Sequence, residues 1–297
     1  MISPLLATAL VAFSAPALPV AVQVPPAVTG TLPYADVADL VLAAPVIAVA
    51  TIRSTVRLKG ADAAGLPAGV ARFYVEAQVT ALVRGSGGLP PRVGYLLDAS
   101  LDARGRTPSF KKARVLLFAR ATASAGQLQL VAPDAQVAWT PELDARVRGV
   151  VREVLAPDTP PRITGVGQAF HVAGAVRGEG ETQVFLQTAD SRPVSLSVLR
   201  RPGERPRWAV ALAEIVDEAA APPPRDTLLW YRLACSLPPS LPARATADAA
   251  PTDAQLARDD YAFVLAELGP CDRTRADRRL SGGAEPACCR SIRPLRR

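Results

Sequence analysis

The sequence has no asparagine, a single histidine, and lysine only at positions 59, 111 and 112. The asparagine and lysine scarcity reflects the codon usage of a GC-rich genome and carries no function. The lone histidine is more restrictive. Any Ser-His-Asp or Cys-His arrangement must use His171, and no G-x-S-x-G elbow is present to supply a nucleophile. Aromatic residues make up only 5% of the chain, whereas hydrophobic residues reach 49%. Alanine and valine must therefore fill the interior, which suits β layers better than a large aromatic-lined pocket. Apart from the N-terminal stretch beginning at Leu5, no apolar run approaches the ~20 residues that span a bilayer, so no transmembrane segment is expected. A basic stripe is also missing. The formal charge is +7, but eight arginines against Asp272, Asp277 and Glu285 leave +5 in residues 272–297. The remainder of the chain is close to neutral, which argues against a nucleic-acid partner.

What is present begins with Arg72 to Gly85. Phe73, Val75, Ala77, Val79, Ala81 and Val83 alternate with Arg72, Tyr74, Glu76, Gln78 and Thr80. Only an extended backbone separates those two sets onto opposite faces. A strand this long, apolar on one side, requires partner strands and a second layer. Before it, Tyr34 to Leu42 has helical spacing and Val46 to Leu58 reads as a strand. After it come strands at Arg92 to Asp98, Arg114 to Ala121 and Leu128 to Val131. Thr140-Pro141-Glu142 then supplies an N-cap, a proline at the first helical position and an acid in the first turn. Leu143, Val147, Val150, Val151 and Val154 place one apolar stripe on the helix that follows.

The stretch Pro45-Val46-Ile47-Ala48-Val49-Ala50-Thr51-Ile52, the strand closing on Leu82-Val83-Arg84-Gly85, and Val115-Leu116-Leu117-Phe118-Ala119 before a helix carry a resemblance. In this order, over residues 33–156, they resemble the netrin-like module of the tissue inhibitors of metalloproteinases. The resemblance implies an OB-type, five-stranded barrel flanked by helices. Inhibitors of that family chelate the protease zinc through an N-terminal cysteine, and no cysteine occurs here before Cys235. Only the fold carries over.

Residues 1–17 have the pattern of a secretory signal peptide. Leu5 to Ala15 matches the length of an h-region, and Ala15-Pro16-Ala17 satisfies the small-x-small cleavage rule. A second domain is expected over 162–271, after the linker Pro157 to Pro161. It reads as an antiparallel β meander of four strands joined by short turns, followed by two helices. The first of these helices, Arg225 to Leu237, is expected to be capped by Asp226. The fold class is thus mainly β with flanking helices: an OB-like barrel, then a meander packed with two C-terminal helices. Residues 272–297 read as a disordered basic tail.

Cys235 and Cys271 are expected to form a disulfide in an exported chain. Zinc would need four ligands, and the remaining Cys288 and Cys289 are adjacent while His171 is distant. Neither a metal, a catalytic residue nor a cofactor is therefore assigned. Arg200, Arg201, Arg205, Arg207 and Trp208 form the one polar cluster that could grip an anionic polymer by charge and stacking. Three functional classes follow: an exported bacterial protein binding a protein or polysaccharide partner in the periplasm or envelope, an exported hydrolase-type enzyme using His171, and a protein held to envelope polyanions by its arginine tail.

Overall fold

The structure is a computed structural model that describes residues 32–212 and 221–275. The expected signal peptide, the residues 213–220 and the tail from 276 onward, with Cys288 and Cys289, lie outside the described residues. The first half contains α1 (Tyr34–Ala43), β1 (Val46–Arg57), β2 (Val70–Arg84), β3 (Arg92–Ser100), β4 (Arg114–Ala121), β5 (Gln127–Leu130), β6 (Gln136–Ala138) and α2 (Pro141–Leu155). The second contains β7 (Ile163–Ala173), β8 (Gly180–Thr188), β9 (Val194–Arg200), β10 (Arg207–Ala211), α3 (Leu228–Ala234) and α4 (Pro251–Leu268).

Strands β1 to β5 close into a barrel in the order β1-β2-β3-β5-β4, with β4 returning to β1. All neighbours are antiparallel except β3 and β5, which run parallel. That is the order and direction of an OB-like barrel. The interior holds Ala50, Ile52, Phe73, Val75, Val93, Tyr95, Val115 and Leu117. Burial alternates along the first half of β2, as its sequence period demands.

Strands β1 and β4 behave differently. Ala50 and Ile52 point into the barrel, while Ile47 and Val49 point outward into a second core. Leu117 and Leu116 divide in the same way on β4. Burial on both faces explains why these two segments are continuously apolar while β2 alternates. The second core covers the outer wall of β1 and β4 with α1 and α2, and continues through the inner face of the second sheet to α3 and α4. Ala81 and Val83, at the far end of β2, pack against it as well. One long strand therefore serves two cores, and three register shifts against β1 let it coil between them.

Helix α2 starts where the sequence predicts. Thr140 is extended at φ −133°, and its side chain accepts a hydrogen bond from the Leu143 amide at 3.2 Å. Thr140→Ala is expected to cost about 1 kcal/mol, or about 2–4 °C in a thermal unfolding scan. An unchanged midpoint would mean that the helix end is held by other contacts.

The second sheet has the antiparallel order β10-β9-β8-β7, the expected meander. Helices α3 and α4 pack with its inner face in the common core. The α3 cap differs from expectation. Thr227 is the N-cap, accepting from the Trp230 amide at 3.3 Å, while Asp226 sits at φ +61° in the turn before it. Asp226 and Thr227 are both residue types that cap helices, and the left-handed turn at Asp226 places the cap one residue later than expected.

The C-terminal end of the described chain is packed. Cys235 closes α3, and Cys271 lies at disulfide distance from it, 4.9 Å between α-carbons. The following residues fasten onto α1. Buried Asp36 accepts the amides of Thr274 and Arg275, each at 3.0 Å, together with the Thr274 hydroxyl. Asp39 takes a forked ion pair from Arg273 and the hydroxyl proton of Tyr231. Burial and the Asp39 carboxylate push the Tyr231 phenol up to about 12. Arg275 reaches Asp134 at 2.5 Å. Disorder expected from Asp272 onward thus does not extend to 272–275, because composition does not reveal the buried Asp36 and the partly exposed Asp39 on α1 that take donors from this segment.

Candidate binding face on the barrel

The outward residues of β2 and β3 build a face by cross-strand pairing. Arg72 stands opposite Asp98, Tyr74 opposite Leu96, Glu76 opposite Gly94, and Gln78 opposite Arg92. Arg72 grips Asp98 with two nitrogens, at 2.7 and 2.8 Å. The Tyr74 ring lies across Gly94. A Cβ there would stand 2.2 Å from the Tyr74 hydroxyl, so glycine is what lets the ring lie flat on the sheet. From β5, the Gln127 amide donates to that hydroxyl at 3.0 Å. Tyr74 is consequently held in place from two strands.

Two surface recesses share Tyr74 and Gln127. One, of about 580 Å³, is lined by Arg53, Glu76, Gln78 and Arg92 beside them. The Arg53 guanidinium donates to Gln78 at 2.9 Å, and Ser54 donates to Glu76 at 2.7 Å. The other, of about 740 Å³, runs along Leu96, Asp98, Leu130, Val131 and Pro133. An aromatic ring between a polar recess and a more apolar one suits binding, because it offers packing area at little entropic cost while the planar polar side chains fix orientation. This face is not marked as a site in the sequence. Its signal was present in the outward set of β2, but the contributions of β3 and β5 depend on register.

His171 is placed elsewhere. Its side chain is 4% exposed on the inner face of the second sheet. Thr182 donates to Asp260 at 2.5 Å, so its oxygen must accept from His171 Nδ1, 2.8 Å away. Asp260 is fully buried on α4 and also takes the Arg200 guanidinium at 2.6 Å. On its other side the ring abuts Gly180, where a Cβ would stand 2.6 Å from Nε2. A recess of about 470 Å³ lies on the opposite face of this sheet, lined by Phe170, Val172 and Leu199, and His171 does not reach it. This is a packed polar network linking three strands and a helix.

The arginine cluster does not assemble as a polyanion grip. Trp208 is buried against the core, so its ring offers no stacking surface. Arg200 is spent on Asp260, Arg205 pairs with Glu267 at 2.6 Å, and Arg207 pairs with Glu204 at 3.1 Å. Arg201 is exposed. Adjacent strand residues point to opposite faces, which separates Trp208 from Arg207, and Arg201 lies past the end of β9.

Among the described residues no group of three or more His, Cys, Asp or Glu side chains is placed to hold a metal ion. No helix among them is long and apolar enough to cross a membrane. Comparison of the chain with protein-family models and with curated proteins finds no match.

Proposed function

We propose that this is an exported, non-enzymatic bacterial binding protein of the periplasm or envelope, whose barrel face around Tyr74 takes a protein or polysaccharide partner. Residues 33–156 are read as a netrin-like module, with α1 and α2 as its flanking helices. The OB-like strand order and the placement of those two helices against one wall support that reading. The observation that carries the binding role is Tyr74 itself: a half-buried ring, fixed by Gln127 over Gly94, shared by two adjacent recesses. The signal pattern of residues 1–17 supports export.

The test is affinity capture with full-length tagged protein from the native envelope fraction, comparing wild type with Tyr74→Ala. A partner recovered with the wild type should be lost from the variant, whose thermal midpoint should change little because the ring lies on the surface. Equal recovery from both proteins would overturn the assignment of this face. N-terminal sequencing of the captured protein is expected to begin near Leu18, and an intact Met1 on cytosolic material would overturn the export claim.

A further inference from the structure

Strand β3 is fully paired on only one edge. Its β2 edge is covered from Gln78↔Arg92 to Val70↔Ser100. Its β5 edge is paired only at Gly94↔Gln127 and Tyr95↔Leu128, although β3 continues to Ser100. Past Tyr95 the two strands part, and the larger recess lies in the opening.

The direction of the backbone groups in this opening follows from their neighbours. The Gly94 amide donates to Gly126, so it points toward β5. Strand alternation then points the peptide groups of Leu96 and Asp98 the same way. On the other side, the Val131 amide donates to Phe118 of β4. Leu130, one residue earlier, therefore turns its N–H and C=O away from β4 and toward β3. Two diverging strands thus aim backbone donors and acceptors into one cleft of about 740 Å³. Edge strands usually carry a proline, a lysine or a bulge that blocks pairing, and Leu96 to Ser100 carries none of these.

We infer that an extended peptide segment of a partner protein binds by strand addition in the cleft between β3 and β5, pairing with the Asp98 and Leu130 backbones. The inference rests on the barrel-face reading and specifies its occupant. Backbone pairing supplies affinity in this mode, and pockets for alternate side chains supply selectivity. The lining sets the sequence class. Leu96 is 50% exposed, and Val131 and Pro133 extend the apolar wall. The only charges on it, Arg72 and Asp98, neutralise each other as a forked pair. The matching segment is uncharged, with an apolar side chain at every second residue.

The probe is a capped octapeptide of alternating valine and serine, added at about 1 mM to the full-length protein, with amide hydrogen exchange read residue by residue. Exchange at Asp98 and Leu130 should slow by about tenfold, corresponding to about 1.4 kcal/mol of protection. The same peptide N-methylated on the edge that must pair should give no protection, and neither should Leu96→Asp protein with the unmodified peptide. Equal protection by the N-methylated peptide, or none at Asp98 and Leu130 with the unmodified one, overturns strand addition. If the partner captured through Tyr74 proves to be a polysaccharide, strand addition also falls while the barrel-face reading stands. Loss of Tyr74 dependence with peptide protection intact has the opposite meaning.

Discussion

Asp260→Ala should destabilise the protein by about 3–5 kcal/mol, the range for removing one partner of a buried charge pair. For a chain of this size that corresponds to about 6–20 °C in the thermal midpoint. Asp260 is fully buried on α4. It receives Arg200 from β9 and the hydroxyl of Thr182 from β8, and Thr182 in turn holds His171 of β7. Truncation leaves Thr182, itself fully buried, without an acceptor and opens a gap between helix and sheet. Arg200 retains partial access to water, which places the loss toward the lower end. Asp260→Asn should cost less, because its amide keeps an acceptor oxygen and the volume. Glu267→Ala, which removes only the exposed Arg205 pair, serves as the control and should stay within about 1 kcal/mol. A loss below that value for Asp260→Ala would show that the network contributes nothing net.

Cys235→Ser should lower stability by about 3–4 kcal/mol in oxidised protein, since the bridge would close a loop of 36 residues in the unfolded chain. Its effect reaches further than the loop. Cys271 fixes the chain just before Arg273, Thr274 and Arg275, which dock on Asp39, Asp36 and Asp134. Freed from α3, that segment must pay its own ordering entropy, so Cys235→Ser and Asp36→Ala should overlap and their combined loss should fall short of the sum. A thiol reductant should lower the wild-type midpoint and leave Cys235→Ser unchanged, while Cys288→Ser should behave as wild type. Free thiols at both 235 and 271 in unreduced exported material would refute the bridge and weaken the case for export.

Much of the architecture follows from local pattern. The alternation from Arg72 onward determined that β2 is a one-sided strand, and Thr140-Pro141-Glu142 determined where α2 begins. Short turns determined the antiparallel meander, and the oxidising compartment implied by the signal pattern, with no complete zinc ligand set, pointed to the pairing of Cys235 with Cys271. Period-two alternation could also have shown that Trp208 and Arg207 cannot share a face.

Tertiary structure decided what depends on partners distant in sequence. Asp260 shares a face of α4 with Ala257 and Val264, but its partners Arg200 and Thr182 lie 60 and 78 residues away and nothing local identifies them. Asp36 and Asp39 read as the polar side of α1 until residues 273–275 arrive from 234 or more positions downstream. The barrel face is of the same kind. Tyr74 announces itself on β2, but Gly94 beneath it and Gln127 beside it are brought there by register. The cleft between β3 and β5 has no counterpart in composition or period, because it comes from where two strands stop pairing, and pairing belongs to the backbone in three dimensions.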